Sequence, residues 1–143
     1  MKNNEMAQAM LERAEVVLHE ARYLFQKGHW NLVIRRCQES VELALKAALL
    51  WAGVEVPRVH DVGPLLKREA QRFPLPFRDR IFELASISRA LRAERELSFY
   101  GDEATGIPAE ELYTRNDAQL KLTETETVLA ICKMLFDGEE AHP

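Results

Sequence analysis

A chain of 143 residues with 47% apolar side chains is long enough to bury one core and too apolar for wholesale disorder, so one domain over 1–143 is expected. Its net charge of −4 is uneven, about balanced over 1–30, +3 over 31–100 and −7 over 101–143, which argues against a generic nucleic-acid coat and suits self-association or an acidic ligand in the middle. No apolar run approaches the ~18 residues that cross a membrane, and Cys37 and Cys132 are too few for a disulfide framework or a structural zinc site, so no membrane, metal or cofactor is expected.

The opening residues, MKNNEMAQAM, are polar and unlike a signal peptide, which makes the cytoplasm the expected location. A helix is predicted from Asn4 to Lys27. Its apolar stripe is Ala7, Met10, Leu11, Ala14, Val17, Leu18, Ala21, Leu24 and Phe25, repeating at spacings of three and four, and Gly28 stops it. A second helix follows from Trp30 to Gly53. The short connection makes the two antiparallel neighbours.

The second helix carries two faces. Ile34, Cys37, Val41, Ala44, Leu45, Ala48 and Ala52 form the apolar one. Arg35, Gln38, Glu39, Glu42 and Lys46 fall together on another at ~100° per residue. A solvated face with Glu42 and Lys46 as an i,i+4 pair explains the polar set, as does a groove for a partner or ligand. Polar pairing across a bundle that fixes its register is a third reading. Trp30 and Trp51 read as core anchors, and both cysteines as small buried hydrophobes.

Residues 54–60 read as a loop. Asp61 is a plausible N-cap for a short helix containing Pro64, Leu65 and Leu66. His60 can bond nearby backbone. Residues 72–76, with two prolines, break that helix. A third long helix is predicted from Phe77 to Ser98, burying Ile81, Leu84, Ile87, Ser88 and Leu91. Arg89, Arg92 and Glu96 line one side of it, with Arg78 earlier. Such a row is usually solvated, though arginines also hold phosphates in bidentate geometry. Arg95 lies on the buried side, so it should meet a carboxylate, with Asp102 and Glu103 the candidates.

Tyr100 to Pro108 is a second loop, and Pro108 opens a turn through Leu112. Tyr100 and Tyr113 suit base stacking or aromatic packing that pins the loop. Near Thr114 the last long helix begins. Its stripe is Ala118, Leu122, Thr125, Val128, Leu129, Cys132, Leu135 and Phe136, with Gly138 as its end and Glu139 to Pro143 expected to fray. There is no repeat and no period-two strand pattern. The predicted fold is all-α, an up-and-down bundle of four long helices plus a short one.

Three segments, in order, resemble the HEPN domain family. Gly28 to Ala47 resembles the family's Gly-x-aromatic turn and Gln-x-x-x-Glu-x-x-x-Lys-Ala helix, here Gln38, Glu42, Lys46 and Ala47. Gly53 to Leu66 resembles its Gly…Pro-x-x-His-Asp connection, here Pro57, His60 and Asp61. Arg95 to Asp102, with Pro108 and Tyr113 following, is similar to the loop before the last helix in one group of members. The resemblance implies a homodimer with a groove at its interface. It also implies work beside a minimal nucleotidyltransferase, in several cases as a toxin–antitoxin pair, or metal-independent ribonuclease activity.

The family's ribonuclease motif pairs an Arg, often followed by a polar residue, with a His after four to six intervening residues. Here Arg115-Asn116 begins like it, but Gln119 to Leu122 follow with no His. Arg13 and His19 fit the count but sit ~120° apart on one helix, and Arg22 and His29 straddle a helix end. A histidine is the natural acid/base for the chemistry, so no catalytic residue is assigned.

The resulting expectation is a non-catalytic homodimer that binds a nucleotide, an RNA segment or a nucleotidyltransferase. The candidate binding residues are Arg35, Gln38, Glu39, Glu42, Lys46, Arg92, Arg95, Glu96, Tyr100 and Asp102. His60, Asp61 and Tyr113 are motif residues with structural roles. The alternatives are a HEPN endoribonuclease with an unrecognised Arg/His or Arg/Tyr arrangement, and a bundle whose partner is itself. On the binding reading, Arg92→Ala and Glu42→Ala weaken binding and spare the fold.

Overall fold

The computed structural model describes residues 2–140, and the side chains of 4–137. Among them the chain is helical without strands: α1 (Lys2–Gln26), α2 (Trp30–Trp51), α3 (Gly63–Arg68), α4 (Leu75–Arg78), α5 (Ile81–Glu94), α6 (Leu97–Tyr100) and α7 (Arg115–Glu140). Two 3-10 turns, Ala70–Arg72 and Ala109–Glu111, fill the connections. The four long helices α1, α2, α5 and α7 form the expected bundle. The final residues, expected to fray, lie outside the description beyond Glu140, and α7 runs through Gly138 rather than ending there.

Helix α2 is the centre. It packs against α1, α7 and α5, and twelve of its residues are buried. Small residues let α1 approach: Ala7, Ala14 and Ala21 are fully covered, and Ser40 Oγ donates to the Ala14 carbonyl at 2.8 Å. The α5 and α7 stripes are buried as their periodicity predicts. Each fully covered Leu, Ile or Val in them contributes about 1.5–3 kcal/mol. Between α1 and α2 the chain turns through a Schellman motif at Gly28: His29 N–H donates to the Leu24 carbonyl at 3.0 Å and Gly28 N–H to Phe25 at 3.1 Å.

The stripe of α1 is narrower than expected. Ala7, Leu11, Ala14, Leu18 and Ala21 are buried, whereas Met10, Val17, Leu24 and Phe25 are only half-covered. The neighbours cover one side of α1 and leave the next row of apolar side chains open.

The predicted helix over 77–98 is broken at both ends. Pro74 is extended and starts α4 afresh, and the Arg78 guanidinium binds the Phe73 carbonyl through Nε and Nη2 at 3.2 and 2.9 Å, fastening that turn. Phe77 then stacks on Phe73, with centroids 4.5 Å apart, and Phe73 on Trp51. Between α5 and α6 the backbone stays helical but tightens. Arg95 N–H reaches back three residues, to Arg92, and the Arg95 carbonyl accepts from Arg35 at 2.8 Å and Ser98 Oγ at 3.1 Å. Side chains take that carbonyl out of the regular ladder, so the helix bends.

Candidate functional site

The polar ridge of α2 is not a solvated face. Gln38 is buried, and the side chains of Arg35, Glu42 and Lys46 are only 13–14% exposed. They are covered because α1 rises on one side, and the connection after Gly53 and the α5–α6 bend rise on the other.

Glu42 is the hub. One carboxylate oxygen accepts from Gln38 Nε2 at 3.0 Å and lies 2.9 Å from His60 Nδ1, and the other accepts from Lys46 Nζ at 2.8 Å. Burial raises its pKa, but the hydrogen bonds from Lys46, Gln38 and His60 outweigh burial and hold it below the ordinary carboxylate value. His60 thus meets a side chain of α2 rather than nearby backbone, because the extended residues after Gly53 carry it back along that helix.

The other half of the ridge is built around Arg95. It donates to Gln38 Oε1 and lies 3.9 Å from Glu39, instead of reaching Asp102 or Glu103. The bend turns its side chain onto α2. Arg36 pairs with Glu39 at 2.7 Å, Arg35 with Glu39 at 3.5 Å, and the Arg35 guanidinium covers the Phe99 ring at 4.7 Å. Four cations, Arg35, Arg36, Lys46 and Arg95, thus face three carboxylates, Glu39, Glu42 and, from α1, Glu20 at 3.9 Å from Arg36. The excess favours an anionic ligand.

The remaining candidates stand apart from this network. Arg92 and Glu96 form an exposed i,i+4 pair at 2.8 Å. Tyr100 is exposed and edge-on to Phe99. Asp102 is occupied in its own loop, accepting from the backbone of Ala104 and Thr105 at 3.1 and 3.2 Å. Tyr113 donates its hydroxyl to Glu94 at 2.9 Å, and burial, then that carboxylate, push its phenol up.

Asp61 sits one residue ahead of the backbone cap position, Val62. It accepts from Gly63 N–H at 2.9 Å and Ser88 Oγ at 2.7 Å, tying the start of α3 to α5. Arg115 lies over the Phe25 ring at 5.4 Å. Burial pushes the Cys37 thiol up to about 12 and raises Cys132 further, so neither is a nucleophile.

Two hollows flank the ridge. One, of about 240 Å³, is lined by Arg13, Val17, Glu39, Glu42, Leu43 and Arg95. The other, of about 480 Å³, is bounded by Met6, Met10, Lys46 and Leu50 and walled by Gly53 to Arg58. The sequence reading assigned no site role to Arg36, weighed Arg13 only with His19, and placed Met10 and Val17 in the core stripe rather than in a wall beside the ridge. The signal for the wall was present: Met6, Met10, Arg13 and Val17 recur at helical spacing. Among the described residues no cluster has the composition and geometry of a metal site, and no helix is long and apolar enough to cross a membrane.

The HEPN domain model matches residues 7–135. Over 136 residues, 92% of this chain and 88% of the other, the sequence is 26% identical to a Methanocaldococcus jannaschii protein named "Putative toxin MJ1304". The fold is similar to the crystal structure of ST0689, an archaeal HEPN homologue, with a TM-score of 0.67 and 25% identity over 89% of this chain and 94% of that one. The chain belongs to the HEPN domain family.

Proposed function

We propose that this chain binds rather than cleaves: a homodimer that engages a minimal nucleotidyltransferase, and with it a nucleotide, as one half of a toxin-like pair. The observation that carries the reading is the α2 ridge, where four cations against three carboxylates are held beside open hollows. A ridge held by its own hydrogen bonds meets a ligand without first being ordered, which favours affinity. The similarity to a protein named as a toxin supports a partner, since a toxin is kept with something that restrains it. Native mass spectrometry tests this, on the chain alone and with a neighbouring nucleotidyltransferase and a nucleotide set. A dimer that takes up the partner or a nucleotide is expected. A monomer, or a dimer that takes up neither, overturns the reading.

One observation favours the ribonuclease alternative. Glu42 fixes His60 through Nδ1, and the histidine side chain is 42% exposed, so a carboxylate-oriented imidazole faces outward. If this is a general base, purified protein cuts single-stranded RNA in excess chelator and His60→Ala abolishes it. RNA left intact by the wild type removes that reading.

A further inference from the structure

The two hollows share no lining residue but follow one another along the seam of α1 and α2, and together they mark out a trough. On α1 the lining runs from Met6 and Met10 to Arg13 and Val17. On the antiparallel α2 it runs from Leu50 and Lys46 to Leu43 and Glu39. Met6 to Val17 are twelve residues, and their eleven rises of ~1.5 Å give a length of about 16 Å, three helical turns.

Apolar side chains run the length of the lining. Met10, Val17, Leu43 and Leu50 are half-covered, and Met6 is 56% exposed. In the floor Glu42 pairs with Lys46 and Glu39 with Arg36. No aromatic ring lines either hollow, so a nucleobase has nothing to stack on. Two cations on the rim have no ion pair among the described residues: Arg13, in the half nearer Val17, and Arg58, in the half nearer Met6. Both are exposed. Glu55 is an exposed carboxylate on the same loop as Arg58, and the rim remains net positive.

We propose that this trough seats an amphipathic helix of about three turns from the partner protein, its apolar stripe on Met10, Val17, Leu43 and Leu50 and its acidic ends against Arg13 and Arg58. The proposal rests on the partner-binding reading above and names where and how the partner docks. A helix laid in an apolar groove is a recurrent mode of recognition, and methionines adapt to such a guest. Another copy of this chain is a poor occupant, because the exposed row of α1 that it would offer carries the same Arg13 and brings like charge to the rim.

Methyl-labelled methionine reports the trough directly. Met6 and Met10 line it, and Met134, exposed on α7, is the internal control. The probe is a helical peptide of about twelve residues with leucines at i, i+3, i+4 and i+7 and glutamates at both ends. Saturable shifts of Met6 and Met10, with Met134 still, are expected. Affinity should fall about tenfold or more for the same peptide ended in lysines, and likewise in Arg13→Glu/Arg58→Glu protein.

Still methyls at Met6 and Met10, or equal binding of a scrambled peptide, overturn the proposal. Shifts that grow with protein concentration alone assign the trough to a second copy and overturn it too. Uptake of a nucleotidyltransferase in the mass spectrum with Met6 and Met10 unmoved defeats the trough while the partner reading stands. Peptide binding with no uptake of the nucleotidyltransferase does the reverse.

Discussion

Glu42 and Arg92 both bear charge on helix faces, and the structure separates them. Removing Glu42 leaves a half-buried ammonium and an imidazole without their acceptor, so Glu42→Ala should cost about 1–3 kcal/mol. Arg92 lies in an exposed pair, and Arg92→Ala should stay within about 0.5 kcal/mol. Urea denaturation of the two variants reads the difference, and equal losses would refute it. The depressed pKa of Glu42 adds a pH signature. Its stabilisation is complete above the ordinary carboxylate value near 4.5 and is lost as pH falls through the lower folded value. Urea midpoints of the wild type should fall across that acidic window more steeply than those of Glu42→Gln, and parallel curves would sink the assignment. The sequence placed Glu42 on the right face and flagged Arg95 as a charge on a buried side. It did not show that Gln38 joins them, because that contact spans 57 residues and depends on the bend after Glu94.

Two connections should carry much of the stability of the last third. Thr114 and Asp117 cap α7 reciprocally, Thr114 N–H donating to Asp117 Oδ2 at 2.9 Å and Asp117 N–H to Thr114 Oγ1 at 3.2 Å. Thr114→Ala should therefore lose about 1 kcal/mol in thermal or urea unfolding, and an unchanged midpoint would show the cap to be idle. Gly101 ends α6 at φ +77°, and a Cβ there would lie 2.6 Å from the Ile107 carbonyl oxygen and 2.8 Å from Ala109 N. Gly106 shares the sign of φ but faces open space. Gly101→Ala should cost about 2 kcal/mol or more, and Gly106→Ala about 1. Similar midpoints for the two variants would mean that the loop yields freely. Helix identity was legible here from turn residues and periodicity. The breaks at 79–80 and 95–96 were not, since both depend on carbonyls captured by arginines: Arg78 on Phe73, and Arg35 from another helix on Arg95.

For the molecule as a whole, the two thiols test whether α2 and α7 open together. Cys37 and Cys132 lie on those helices within the same core, and burial keeps both protonated near neutral pH. Alkylation should reach both only through global opening, with rates that converge as urea is raised. Rapid labelling of Cys132 with Cys37 protected would show the later turns of α7 peeling away ahead of the turn at Thr125, which meets Cys37, and contradict one cooperative domain. Arg22, whose Nε and Nη2 both donate to Glu126 Oε2 at 3.1 and 2.9 Å between α1 and α7, and the Asn31 amide, which donates to the Ser98 carbonyl at 3.1 Å between α2 and α6, add polar ties to that core.

The order and number of the long helices, the buried stripes of α5 and α7 and the family were readable in the chain by itself. Helical periodicity repeats every few residues and the motifs are short, so both are local properties. Tertiary structure decided which row of α1 is covered, that the α2 ridge is walled in, and that Glu42 receives His60 while Arg95 receives Gln38. Those outcomes depend on how closely segments far apart in sequence pack. No local pattern encodes that distance, and the trough beside α2 exists only because the bundle covers one side of α1 and leaves the next exposed.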